Sequence, residues 1–336
     1  MADPQTSSPK RPVSPQRSGF DYAGTYRDMT QMHDLTSPPT EQDAQRLLRT
    51  KPVDPEPHDV VLYLGCNVLR NSDMVRTVTD IFDLLGLDYI AVGGPTYCCG
   101  IMQSRQGDNA VANHMGRQTI DYLQSFRPKQ VVMWCPSCMF YYDEVFEADT
   151  PFQAQHATEF LVDQLDRVEF KVEVPRRVAM HYHINREQRR RESLAAQTLL
   201  RAVPGLEYIE IGSDEEFGTI CSPQLGLGPP WQARVDKQLA GAEAAGADTL
   251  ATIYHGCQRL ICVNEEHSPL QIEHYLRLFG RALGIEHEDR YKKYRLWRDP
   301  ARVMEEMTPC MQAADIEPER ALALAQRYFP AVDADG

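Results

Sequence analysis

Residues 59–100, DVVLYLGCNVLRNSDMVRTVTDIFDLLGLDYIAVGGPTYCCG, decide the fold. The run from Val60 to Cys66 is apolar, has the length of a strand and ends in Gly-Cys, as a strand buried on both faces does. After it Met74, Val75, Val78, Ile81, Phe82 and Leu85 recur at helical spacing and stop at Gly86, the pattern of an amphipathic helix closed by a glycine. YIAVGG at 89–94 is a second strand, which runs into a loop holding Pro95 and the triplet Cys98-Cys99-Gly100. Strand, helix and strand in one short segment make a β-α step in a mostly parallel sheet.

The same alternation continues with a helix from about 106 to 126 and a third strand, QVVMW at 130–134, before the loop Cys135-Pro136-Ser137-Cys138. It then recurs. VAMHYHINRE at 178–187 resembles VLYLGCNVLR at 61–70, TIC at 219–221 sits where YCC ends at Cys99, and TIYHGC at 252–257 echoes VMWC at 132–135. These matches set Cys66 against Ile184, Cys99 against Cys221 and Cys135 against Cys257, at intervals of 118, 122 and 122 residues. The fold is read as α/β, with two homologous halves built on parallel-type sheets at 58–172 and 173–285. A helical C-terminal cap over 286–336 completes it, and Ile272, Tyr275, Leu276, Leu278 and Phe279 are read as one helical face just before the cap.

Residues 1–57 are rich in Pro, Ser, Thr and Asp and poor in aliphatic side chains, so they are read as a largely unstructured tail. Docking of Phe20–Tyr26 on the body is the alternative, because aromatic residues are unusual in a purely solvating tail. The N-terminus has no apolar signal core, and no run of eighteen apolar residues occurs, so the expectation is a cytoplasmic protein without a membrane span. The chain has 336 residues and a net charge of −13, from 35 Lys and Arg against 48 Asp and Glu, which argues against a nucleic-acid partner. The basic run from Arg186 to Arg191 is read as the solvated start of a helix.

A chain of this length buries a core without staples, so its nine cysteines are free for other work. Five of them, Cys66, Cys98, Cys99, Cys135 and Cys138, follow strand ends, where ligands bind in open α/β sheets. Five thiols are too many for a tetrahedral zinc, and an adjacent Cys-Cys pair suits an iron–sulfur cluster better than one ion. Gly100 is assigned to the same site, because backbone must pass close to the group there. The competing reading is a redox C-x-x-C with three buried structural thiols.

LGCN at 64–67, YCCG at 97–100 and CPSC at 135–138 resemble the CCG, or cysteine-rich, domain found in the B subunit of heterodisulfide reductases and in iron–sulfur subunits of glycolate and lactate oxidising systems. The resemblance covers about residues 59–285, including the duplication, with VAMHYHINR similar to the opening of the family's second half and HATEFL at 156–161 similar to the linker after the first C-x-x-C. It implies one non-cubane 4Fe-4S cluster per chain on Cys66, Cys98, Cys99, Cys135 and Cys138. The second half departs from the pattern: Ile184 stands for the first cysteine, Ile220-Cys221-Ser222 for Cys-Cys-Gly, and Cys257-Gln258-Arg259-Leu260 for C-x-x-C. Cys221 and Cys257, with His255 and with His181 or His183 near them, have three readings. They form a redox dithiol facing the substrate, share a smaller iron–sulfur centre with His255 or Cys262, or are remnants of a lost site. Cys262 and Cys310 are read as packing residues.

The resemblance implies one component of an oxidoreductase that acts on thiols and disulfides in sulfur metabolism, in one-electron steps; Cys221, Cys257 and His255 are read from the residues themselves as its catalytic group. A sulfur-oxidising branch of the family is the better fit to one degraded motif. The chain has neither a ferredoxin-type cysteine run nor a G-x-G-x-x-G after a strand, so no flavin or nicotinamide is expected on it. The implied partners are a ferredoxin-type protein like the family's C subunit, a flavoprotein like its A subunit, and a lipoate-carrying protein as substrate; self-association is left open. The alternatives are an electron relay in a glycolate- or lactate-type oxidase and a zinc-binding structural protein.

Overall fold

The structure, a computed structural model, describes residues 19–145, 150–212 and 220–331. Val60–Gly65 (β1) is buried along its whole length. With Tyr89–Gly93 (β2), Gln130–Met133 (β3) and Gln153–His156 (β4) it forms a parallel sheet in the order β2-β1-β3-β4. Side chains alternate across it: Val60, Leu62 and Leu64 enter one core and Val61 and Tyr63 another. Arg177–His181 (β5), Glu207–Tyr208 (β6), Thr249–Thr252 (β7) and Gln271–His274 (β8) repeat the order as β6-β5-β7-β8, again all parallel. The α/β fold with two parallel-sheet halves is therefore present.

The helices in chain order are α1 (Tyr22–Thr36), α2 (Gln42–Leu47), α3 (Ser72–Leu84), α4 (Ile101–Arg105), α5 (Asn109–Ser125), α6 (Pro136–Val145), α7 (Ala157–Asp163) and α8 (Glu187–Ala202). They continue with α9 (Cys221–Gln224), α10 (Pro229–Ala244), α11 (His255–Ile261), α12 (Tyr275–Ala282), α13 (Arg290–Trp297), α14 (Pro300–Ala313) and α15 (Pro318–Tyr328). One core joins the halves, with Val78, Ile81 and Phe82 of α3 and Leu276 and Phe279 of α12 in the same cluster as residues of β1 and β5. Among the described residues no helix is long and apolar enough to cross a membrane.

Strand register refines the internal repeat. Val60 pairs with Gln130 and Gln130 with Gln153, as Val178 pairs with Thr249 and Thr249 with Gln271. His156 and His274 each end the fourth strand of a sheet and accept, at Nδ1, a free N–H from the first turn of the helix that follows, both at 3.3 Å. The third loop differs from the sequence alignment. Cys138 and Cys257 are each the third residue of the helix leaving the third strand, so Cys257 matches Cys138, and Tyr254 takes the place of Cys135. Counting along β1 and β5, Tyr63, Gly65 and Cys66 correspond to His181, His183 and Ile184. Ile272, read as helical, lies in β8, and its helix begins only at Tyr275.

The segment read as tail needs correction where it is described; residues 1–18, like 332–336 of the cap, lie outside the described residues. Asp21 caps α1 by accepting from Gly24 N at 2.8 Å. Met32 and Leu35 of α1 pack with Tyr294, Met307 and Phe329 of the C-terminal helices, and Met29 packs beside Cys66 and Cys98. Buried Asp28 is held by Arg320, by Arg327 at 2.7 Å and by the Tyr328 hydroxyl at 3.0 Å. Past α2 the Leu48 carbonyl accepts from Gly93 N at 2.8 Å, on β2. Docking wins over disorder because the helix contributes Met residues and a carboxylate matched to arginines, which aliphatic content does not register. Arg189, inside the run read as solvated, is likewise buried: it meets Glu192 at 3.0 Å and the Pro136 carbonyl at 2.7 Å.

Candidate functional site

Cys66 follows β1, Cys98 and Cys99 follow β2, Cys135 follows β3 and Cys138 lies in the first turn of α6, so the carboxyl ends of three parallel strands bring five buried thiols together. Cys66 and Cys98 sulfurs are 3.9 Å apart, and Cys99 and Cys138 sulfurs 3.4 Å. Two glycines make this approach possible. Gly65 has φ +75°, and a Cβ on it would lie 2.9 Å from the Cys135 Cβ and 3.1 Å from the Cys138 Sγ. Gly100 has φ +89°, and its Cβ would be 2.4 Å from the Ala112 carbonyl oxygen.

The thiols alternate in acidity. Hydrogen bonds from Cys66 and Cys99, and then from the Tyr26 hydroxyl and Gly100 N–H, hold Cys98 well below the usual thiol range against its burial. A hydrogen bond from Cys138, with a smaller contribution from His255, does the same for Cys135. Cys66 and Cys138 are pushed up by the hydrogen bonds they make to those sulfurs and by burial. Thiolate-forming sulfurs on three loops, set against a glycine that leaves room, fit an iron–sulfur cluster.

Above the thiols lies a cavity of about 90 Å³, whose walls come from both halves and from α1: Cys66, Cys135 and Cys138 from one half, Ile220 and His255 from the other, and Met29 from the helix. His255, expected beside Cys221 and Cys257, makes its hydrogen bond to Cys135; burial lowers its pKa, opposed by that hydrogen bond, and its Nδ1 is buried without a partner. Residues that the sequence reading passed over also reach the site. Tyr26 Oη lies 3.1 Å from the Cys98 Sγ, and burial pushes its hydroxyl far above the ordinary tyrosine range, so the O–H is the donor. Arg259 of α11, buried, donates to the Asn67 carbonyl at 3.0 Å and to Asn71 Oδ1 at 2.7 Å, fastening the segment after Cys66 to the second half. The position of Arg259 inside the degraded motif was its one sequence signal.

The second half assembles a different group. His181 Nε2 is 3.1 Å from the Cys221 Sγ and His183 Nε2 is 3.2 Å from the Cys257 Sγ, and all four side chains are buried. Cys257 is held well below the usual thiol range: burial opposes this, but the hydrogen bond from Cys221 and the imidazoles of His183 and His181 outweigh it. Cys221 is pushed up by its hydrogen bond to Cys257 and by burial. Cys262 and Cys310 stand apart from both groups. The Cys262 Sγ donates to the Arg259 carbonyl at 3.8 Å and burial pushes its thiol up to about 12; Cys310 accepts from Arg290 at 3.3 Å.

Residues 60–141 match the family described as CCG, cysteine-rich domain. Over 243 residues the chain is 24% identical to the D subunit of the dihydromethanophenazine:CoB–CoM heterodisulfide reductase of Methanosarcina barkeri, covering 68% of this chain and 59% of that one. It is 25% identical over 197 residues to the EtfAB:quinone oxidoreductase of Syntrophomonas wolfei, covering 57% of this chain and 27% of that protein. The chain thus spans about three fifths of the length of the first curated relatives it matches. A putative Asp/Glu racemase from Yersinia pestis superposes with a TM-score of 0.32 at 11% identity, covering 66% of this chain and 96% of that one, an overlap too loose to argue from. The first half carries a CCG domain, and the chain is related to heterodisulfide reductase subunits.

Proposed function

We propose that this chain is the iron–sulfur subunit of a heterodisulfide-reductase-like oxidoreductase, working in the cytoplasm in sulfur metabolism on thiols and disulfides. The observation that carries the reading is the meeting of five buried thiols, three of which, Cys66, Cys135 and Cys138, line a cavity whose other wall is the second half. A 4Fe-4S cluster on Cys66, Cys98, Cys99, Cys135 and Cys138, of the non-cubane kind, supplies single electrons and a thiophilic iron there. The chain's own residues do the rest. Met29 and Ile220 line the cavity with apolar surface that keeps water off a reacting sulfur, His255 holds an imidazole against Cys135, and the Tyr26 O–H rests on Cys98.

Reduction of a disulfide to two thiols consumes two electrons and two protons, so the chain depends on partners for the electrons. A ferredoxin-type protein like the C subunit of heterodisulfide reductases and a flavoprotein like their A subunit fit that need, and a lipoate-carrying protein fits as the bearer of the substrate. In the complex isolated without oxygen, this chain is expected to carry about four iron and four sulfide, and the complex to reduce or form a mixed disulfide or a lipoyl disulfide. A cluster that exchanges electrons in a complex without such turnover would make the chain an electron relay instead. A colourless chain would remove both readings.

Tyr26→Phe deletes a donor to a cluster thiolate. Such a bond favours the reduced, more negative state by about 0.5–1.5 kcal/mol, so its loss lowers the midpoint potential by roughly 20–60 mV. Redox titration followed by electron paramagnetic resonance reads this directly, and an unchanged potential would mean that the hydroxyl does not face the loaded site.

A further inference from the structure

We propose that His181, His183, Cys221 and Cys257 bind a single zinc ion in a closed tetrahedral site. The four candidate ligand atoms all lie within 4.8 Å of one another, with N···S distances of 3.1 and 3.2 Å. Around a zinc ion with Zn–S of about 2.3 Å and Zn–N of about 2.0–2.1 Å, the ligand atoms of a tetrahedron are about 3.3–3.8 Å apart. The side chains need only shift slightly to admit the ion. A two-iron cluster would place the thiol pair and the imidazole pair on different irons, and so farther from each other than these four atoms lie. Two sulfurs and two nitrogens in tetrahedral array select zinc among the common divalent ions.

The surroundings are those of a ligand set. The Nδ1 of His181 is hydrogen-bonded to Gln238 Oε1 of α10, an acceptor that fixes the proton on Nδ1 and presents Nε2 to the sulfurs. His183 is stacked on Tyr254, with ring centroids 5.7 Å apart and planes 8° apart, and Ser193 Oγ donates to its carbonyl at 3.0 Å. Binding gives a neutral complex of one Zn²⁺, two thiolates and two neutral imidazoles, and any proton held on the two sulfurs or shared with the imidazoles is released to solvent. A neutral group tolerates full burial, where a lone thiolate does not.

The duplication explains how the site arose. Gly65 leaves space beside Cys135 and Cys138 in the first half; its counterpart His183 fills that space with an imidazole, and His181 stands where Tyr63 does. The room for a cluster is gone and a ligand pair has taken it. The ion would tie the end of β5 to the starts of α9 and α11, which carry Ile220 and His255 to the cavity wall. Its role is to hold that wall in place.

The test is metal analysis of the full-length chain, purified without oxygen in the complex, with zinc and iron counted on the same sample and the zinc absorption edge recorded. One zinc per chain with two sulfur and two nitrogen neighbours is expected, and Cys257→Ser and His183→Ala should each lower zinc at least about tenfold while iron stays unchanged. The edge spectrum of the unaltered protein decides the matter if those variants do not fold. Zinc that persists in both variants but leaves with Cys135→Ser would overturn the assignment. So would a zinc-free chain in which Cys221 and Cys257 are alkylatable thiols or a disulfide, or a two-iron signal that survives Cys135→Ser. Iron content tests the first site separately, so failure of one proposal leaves the other standing.

Discussion

Cys135→Ser, purified without oxygen, is expected to lose its brown colour and about nine-tenths of its iron and sulfide, and the complex containing it to lose disulfide turnover by a factor of about 100 or more. Cys135 is the thiol on which most of the site converges. The Gly65 backbone lies against it, Cys138 donates to it from within the same turn, and His255 approaches it from the other half. Among the five it is, with Cys98, one of the two held as the more acidic thiols. A serine hydroxyl in its place is a far weaker acid and a harder ligand, so iron loses a thiolate contact. Cys262→Ser and Cys310→Ser are the controls, since both thiols are engaged elsewhere, and their iron content should match the unaltered chain. Iron retained in Cys135→Ser would show that the ligands are other residues.

Asp28→Ala should destabilise the protein by about 3 kcal/mol and lower its melting temperature by roughly 5–10 °C. The carboxylate is buried and receives Arg320, Arg327 and Tyr328, joining α1 to α15. Its removal leaves three donors without their acceptor. Arg327 is 62% exposed and recovers water, which holds the cost below that of a fully buried triad, and Arg327→Ala should cost about 1 kcal/mol or less. Tyr26 and Met29 sit on the same helix within a turn of Asp28, so the loosened helix uncovers Cys66 and Cys98. Bleaching of the cluster in air should therefore quicken in Asp28→Ala, and calorimetry with timed absorbance measures both effects. A variant as stable and as slow to bleach as the parent would separate the helix from the site.

The β1-α3-β2 core was legible because its signals are local: an apolar run, a 3.6-residue period and a glycine stop. The five-thiol group followed from topology, since loops after adjacent parallel strands must meet. What escaped depends on register and on distant partners. Equal intervals of 122 residues set Cys257 against Cys135, whereas the start of α11 makes it the counterpart of Cys138. The His-x-His of 181 and 183 at a strand end is visible in the sequence, but only the sheet shows that both rings meet the two cysteines while His255 bonds to Cys135. α1 was hidden because its anchoring is to residues some 290 positions later, among them Arg320 at a separation of 292, and no local pattern records that.

The same anchoring orders events during synthesis. The wall that α1 forms over Cys66 and Cys98 is latched by Arg320, Arg327 and Tyr328, which leave the ribosome after both sheets. Both sheets and all five thiols exist before that latch can close. Iron and sulfide would therefore have an interval in which the site is folded but still uncovered, until the arrival of α15 shuts it.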